Sequence, residues 1–221
     1  MDDIVVSLII VMVTGVVVVG IFILTGRAKK RQLQHIETLA GQNGWQIEPI
    51  KERLRSGYQL TGFNWVLESL TYVSGHSEEP QQSNVSQKTI FRSESFYLPS
   101  RNLLIGPKPA QVGIGHLGTM LQEKLSQAVL GESARDIAAA QVGSVDFLER
   151  YMILANDPQD AIELLTPRVE QTLLALAAKK PVVKLTQQGL EIKLDQVYLT
   201  LPEDVENFIH FGEALIKGRL K

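Results

Sequence analysis

Twenty-two consecutive uncharged residues, Ile4 to Thr25, are closed on one side by Asp2 and Asp3 and on the other by Arg27, Lys29, Lys30 and Arg31. A helix through that run rises roughly 33 Å at 1.5 Å per residue, enough to cross a hydrocarbon core of about 30 Å with a little tilt. Sixteen of its residues are Val, Ile, Leu or Phe. Each of these favours insertion by roughly 0.3–0.6 kcal/mol, which outweighs Ser7, Thr14, Gly15, Gly20 and Thr25. The pattern predicts an N-terminal transmembrane anchor over residues 1–26, so that the rest of the chain folds while tethered to a bilayer.

Four cations directly after the run, against two acids before it, predict a single pass of the cell inner (plasma) membrane, with the N-terminus outside and the domain cytoplasmic. A secretory signal would need a basic start and a small-residue cleavage site; the start here is acidic and Leu24-Thr25-Gly26-Arg27 is a poor site, so the anchor is expected to stay uncleaved. Arg27, Lys29, Lys30 and Arg31 are the candidate membrane-surface contacts, each adding about 1 kcal/mol near anionic headgroups. Gly15 and Gly20 are five apart and miss the GxxxG spacing for close helix pairing.

The chain has no cysteine, which removes disulfides and thiolate metal sites. A formal net charge of −2 over 221 residues gives no basic surface for nucleic acid. Asn84-Val85-Ser86 matches a glycosylation sequon but reads as a chance match in a polar loop on the cytoplasmic side. About 190 residues beyond the anchor suffice for one good core.

Leu33, Ile36, Leu39 and Ala40 recur at three and four residues, predicting a juxtamembrane helix within 27–44. A cytoplasmic domain over 45–221 comes next. Segments 45–50, 57–62 and 64–73 read as a meander of strands, and 74–88 as a polar surface loop. Strands are expected again over 89–98, over 102–105 up to Gly106-Pro107, and over 147–154. Leu117, Met120, Leu121, Leu125 and Val129 share one helical face between Gly113 and Ala140. Asn156-Asp157-Pro158 and Thr166-Pro167 are helix starts, predicting two helices or one kinked near Leu165. Leu190, Ile192 and Leu194 alternate with Glu191, Lys193 and Asp195 and face Val183 and Leu185 across Gln187-Gln188-Gly189, a hairpin with one wet face. Pro202-Glu203-Asp204 opens a last helix with Val205, Phe208, Ile209, Leu215 and Ile216 on its buried stripe. Strands grouped and helices grouped predict α+β, with an antiparallel sheet and packed helices.

Candidate chemistry is sparse. Gly113-Ile114-Gly115-His116-Leu117-Gly118 fits GxGxxG, but Gly106-Pro107-Lys108-Pro109 interrupts the strand that a dinucleotide turn requires, so no cofactor is expected. His35, His76, His116 and His210 sit in separate elements, and His76 with Glu78 and Glu79 lacks a third metal ligand. Trp45 and Trp65 lie in strand-like segments, where large aromatics fill core.

The anchor with its basic stop, the helix ending in Gly44-Trp45 and the glycine-containing meander resemble bacterial single-pass membrane-anchored proteins of unknown function. Phe147 to Tyr151, Ala155 to Pro158, Leu164 to Pro167 and the closing hairpin and helix carry the same resemblance. It implies a bacterial origin and transfers no functional residue. The sequence thus predicts a non-enzymatic, membrane-tethered interaction or assembly domain, an accessory subunit whose partners are the lipid bilayer and a protein. The alternative reading is a small-molecule or lipid-binding module gripping its ligand between the sheet and the last helix.

Overall fold

The computed structural model describes residues 30–74, 84–98, 101–108 and 137–218. The first element, α1, covers 30–43. Its end is set by Gly44, whose φ of +70° is the left-handed conformation that stops a helix. The Gly44 N–H donates to the Gly41 carbonyl (3.4 Å) and the Trp45 N–H to the Ala40 carbonyl (2.9 Å), satisfying two carbonyls that the helix leaves open.

Among the described residues nine strands follow: β1 Gln46–Lys51, β2 Arg55–Thr61, β3 Val66–Ser74, β4 Asn84–Ser93, β5 Leu103–Pro107, β6 Ala138–Ala139, β7 Tyr151–Ala155, β8 Val182–Thr186 and β9 Gly189–Asp195. They form one sheet in the order β1-β2-β3-β4-β9-β8-β5-β7-β6, antiparallel at every pairing. The helices between and after them are α2 Val145–Arg150, α3 Pro158–Leu164, α4 Pro167–Ala175 and α5 Pro202–Gly218. The fold is α+β, an antiparallel sheet with packed helices.

Strand alternation sends one set of side chains from each strand to a common core: Tyr58 and Leu60, Leu67, Phe91, Leu190 and Ile192, Val183 and Leu185, Leu103 and Ile105, Tyr151 and Ile153. Ile36, Leu39 and Ala40 of α1 and Val205, Phe208, Ile209, Leu215 and Ile216 of α5 complete that cluster. By the same alternation the opposite face carries Glu68, Arg92 and Glu191, with Arg92 bonded to Glu68 at 2.9 Å and to Glu191 at 3.0 Å. Leu70 and Ile90 lie on this face and are buried. Their register neighbours are Lys88 and Lys193, whose aliphatic stems suit covering apolar surface. Burial lowers the pKa of Lys88, and the neighbouring Lys193 charge lowers it further. On β5 and β7 this face is apolar instead, with Leu104 and Leu154 packed against Ile137, Met152 and Val182. The outer edge of β1 contains Pro49, and the other edge is the two-residue β6.

A buried polar chain ties the connector before α5 to the sheet. The Leu199 N–H donates to Ser69 Oγ (3.0 Å), Ser69 and Thr89 share a hydroxyl contact of 3.0 Å, and the Thr89 hydroxyl donates to the Val197 carbonyl (2.9 Å). Since the Thr89 proton goes to Val197, Ser69 is the donor between the two hydroxyls. The Tyr58 hydroxyl donates to the Leu199 carbonyl at 2.8 Å.

The hairpin of β8 and β9, the last helix opening at Pro202 and the break near Leu165 match the sequence reading, except that Gly189, expected in the turn, starts β9 and leaves the two-residue turn Gln187-Gln188. Other boundaries move. Residues 84–88, expected in a polar loop, are the first half of β4 and pair with 70–74, so the sequon lies in a strand. There, backbone pairing to β3 outweighs weak strand propensity. Residues 147–150, expected as strand, belong to α2, because Ser144 caps it by accepting from the Phe147 N–H at 3.3 Å. The strand starts only at Tyr151. Strand β5 runs on through Gly106 to Pro107, where a missing N–H matters little at the strand's last position. Ala138 and Ala139, placed near the end of a helix-prone run, form β6. The rest of the helix predicted between Gly113 and Ala140 lies outside the described residues up to residue 136. Among the described residues no helix is long and apolar enough to cross a membrane, and Ile4 to Thr25 lies outside them.

Candidate docking site

The turn between β2 and β3, Gly62 to Trp65, is closed by the Gly62 N–H donating to the Trp65 carbonyl at 3.0 Å. Gly62 is needed because a Cβ there would collide with the Trp65 indole, which folds back over it. Trp65 is buried, edge-on to Trp45 at 5.4 Å between centroids and stacked on Phe91 at 5.6 Å. Its Nε1–H donates to Glu213 Oε1 of α5 at 3.1 Å, and Glu213 Oε2 accepts from Lys217 Nζ at 3.2 Å. The turn, the α1 terminus and the last turns of α5 thereby enclose a recess of about 400 Å³, lined by Asn43, Gly44, Trp45, Phe63, Asn64, Trp65, Glu213, Ile216 and Lys217.

Phe63 sits at the tip of this turn and is fully exposed. A phenyl ring held in water beside an aromatic recess is the arrangement by which interface hot spots bury one partner's aromatic against another's pocket. A second recess of about 530 Å³, between α4 and α5, shares Glu213 and Lys217 and adds Arg168 and His210. A third, of about 400 Å³ on the charged sheet face, is lined by residues including Arg92, Lys184, Thr186 and Glu191. The core between the sheet and α5 is filled by Phe208 and Ile209.

Of the candidate membrane-surface cations, Lys30 and Arg31 are exposed at the start of α1; Arg27 and Lys29 lie outside the described residues. His35 is exposed on α1 and His210 is exposed on α5 beside the second recess. His76, His116, Glu78, Glu79 and the glycine motif at 113–118 lie outside the described residues. Among the described residues no group of three His, Asp or Glu side chains is placed to hold a metal ion. Trp65 is core, as its segment implied, whereas Trp45 is half-buried at the recess. Sequence reasoning missed Phe63 and Glu213. A Gly-Phe-Asn-Trp turn between two strands was the only local signal for the first, and the second is 148 positions from its tryptophan.

Trp65→Phe removes the donor to Glu213 and also the pyrrole half of a buried indole. Because Glu213 is partly exposed, the lost hydrogen bond accounts for only about 1 kcal/mol in urea unfolding, and the space left in the core brings the expected loss to about 2–3 kcal/mol. A loss of only about 1 kcal/mol would mean that the surrounding side chains close over the vacated space.

Comparison with known proteins found no matching family model, no similar curated protein and no similar solved structure.

Proposed function

We propose that this chain is a membrane-tethered interaction or assembly domain, an accessory subunit of a membrane complex, held at the cytoplasmic face by the Ile4 to Thr25 helix. The observation that carries the reading is the fully exposed Phe63 beside the recess lined by Trp45 and Trp65. Aromatic residues dominate binding energy at interfaces, and here an exposed ring stands beside an aromatic-lined recess. The apolar run and its basic stop support the tether.

The test places a photo-crosslinking phenylalanine analogue at position 63 of the full-length protein in its native membrane. A discrete adduct, lost when Trp45 is changed to Ala, is the expected result. An unmodified protein that is also monomeric and partnerless in mild detergent would remove the assembly reading.

A further inference from the structure

Three exposed apolar side chains meet at the opposite end of the sheet from Phe63. Leu54 lies in the turn between β1 and β2, Val73 near the end of β3 and Val85 near the start of β4. The Val73 N–H donates to the Leu54 carbonyl at 2.9 Å, and Val73 is the register partner of Val85, so the three are neighbours. Exposed Lys51 and Arg53 precede Leu54 in the chain. The acid between them, Glu52, is already neutralised: Arg55 donates to its two oxygens at 2.8 and 2.7 Å, a pairing that lowers the Glu52 pKa.

The course of α1 relates this rim to the anchor. Asn43 and Gly44, at its end, line the recess with Phe63, so α1 ends at the sheet end opposite the rim. Its fourteen residues, 30–43, run roughly 20 Å, about the length of six-residue β1, with Ile36, Leu39 and Ala40 packed into the core. Such a helix, laid along the sheet, brings Lys30 and Arg31 to the end that carries Leu54. The Ile4 to Thr25 run stands only four residues before Lys30.

We propose that this rim rests on the bilayer, with Leu54, Val73 and Val85 entering the headgroup layer and Lys51 and Arg53 meeting anionic lipid phosphates. The proposal rests on the tethered reading above. It adds a second contact that fixes the domain's tilt and turns the Phe63 recess away from the membrane, toward partners in the aqueous phase. Apolar side chains flanked by cations are the usual makeup of interfacial membrane contacts.

Because the chain lacks cysteine, single labels report one site each. Leu54→Cys, Val85→Cys and Phe63→Cys variants of the full-length protein are spin-labelled and reconstituted in phosphatidylcholine vesicles with and without phosphatidylglycerol. Labels at 54 and 85 are expected to favour collision with oxygen over a water-soluble nickel chelate, at a depth of about 5 Å, while the label at 63 stays aqueous. Lys51→Glu with Arg53→Glu is expected to abolish the gain from phosphatidylglycerol. Release of the protein by alkaline carbonate would overturn the tether and the rim together. Retention with all three labels equally aqueous overturns the rim alone. Labels aqueous in vesicles but shielded in native membranes would assign the rim to a protein, which also overturns the lipid contact.

Discussion

Thr89→Val should lower the unfolding free energy by about 2–4 kcal/mol, although the two side chains are nearly the same size. Its hydroxyl is buried and sits in the middle of the chain Leu199 N–H, Ser69, Thr89, Val197 carbonyl. Removing it leaves the Val197 carbonyl without its donor and the Ser69 hydroxyl without its acceptor, and each buried orphan costs about 1–3 kcal/mol. Thr89→Ser, which keeps the hydroxyl and loses a methyl, should cost roughly 1 kcal/mol. Equal losses for the two variants in urea unfolding would show that the methyl, not the polar chain, matters. The Tyr58 hydroxyl at the end of the same network adds a pH signature. Burial raises its pKa above the ordinary 10, so its contribution is whole below about pH 10 and is lost as the pH climbs above that value. Tyr58→Phe should flatten the alkaline limb of the stability profile.

Gly212→Val, in the middle of α5, is expected to destabilise by about 2–4 kcal/mol, against the sign that helix propensity alone predicts. A Cβ at Gly212 would collide with the ring of Phe91, which is fully buried and stacked on Trp65. The ring cannot yield without moving Trp65, and with it the hydrogen bond to Glu213 and the wall of the recess. The variant should therefore shift tryptophan fluorescence and weaken any adduct formed from position 63 together with stability. Asn207→Ala, on the exposed side of the same helix, should stabilise by a few tenths of a kcal/mol. A neutral Gly212→Val would mean that α5 moves freely over Phe91.

The elements legible in the sequence are those whose cause is local. Alternation in 190–195 behind the turn signal Gln187-Gln188-Gly189 marks β8 and β9, and Pro202-Glu203-Asp204 with a periodic stripe marks α5. The first half of strand β4 escaped because its polar residues are held by partners in β3, and α2 because the apolar run from Tyr151 drew the strand reading back over Leu148, Glu149 and Arg150, good helix formers behind the Ser144 cap. The site is less legible still. Gly212 owes its identity to Phe91, 121 positions away, and Trp65 finds Glu213 only after the sheet has formed; periodicity carries neither relation. The cationic run after the apolar stretch was plain, but the apolar rim was not, since Leu54, Val73 and Val85 are brought together only by hairpin register.

The edges of the sheet bear on crowding. Under the proposed tether, copies confined to two dimensions would meet far more often than the same number free in solution, and an open strand edge would then template end-to-end fibres. Strand β1 presents Pro49, which has no N–H to offer, between exposed Glu48 and Lys51, and β6 presents only two residues. Both ends of the ladder formed by the described residues are thus poor templates for polymerisation, so under that tether the sheet would tolerate high surface density while association is left to side chains.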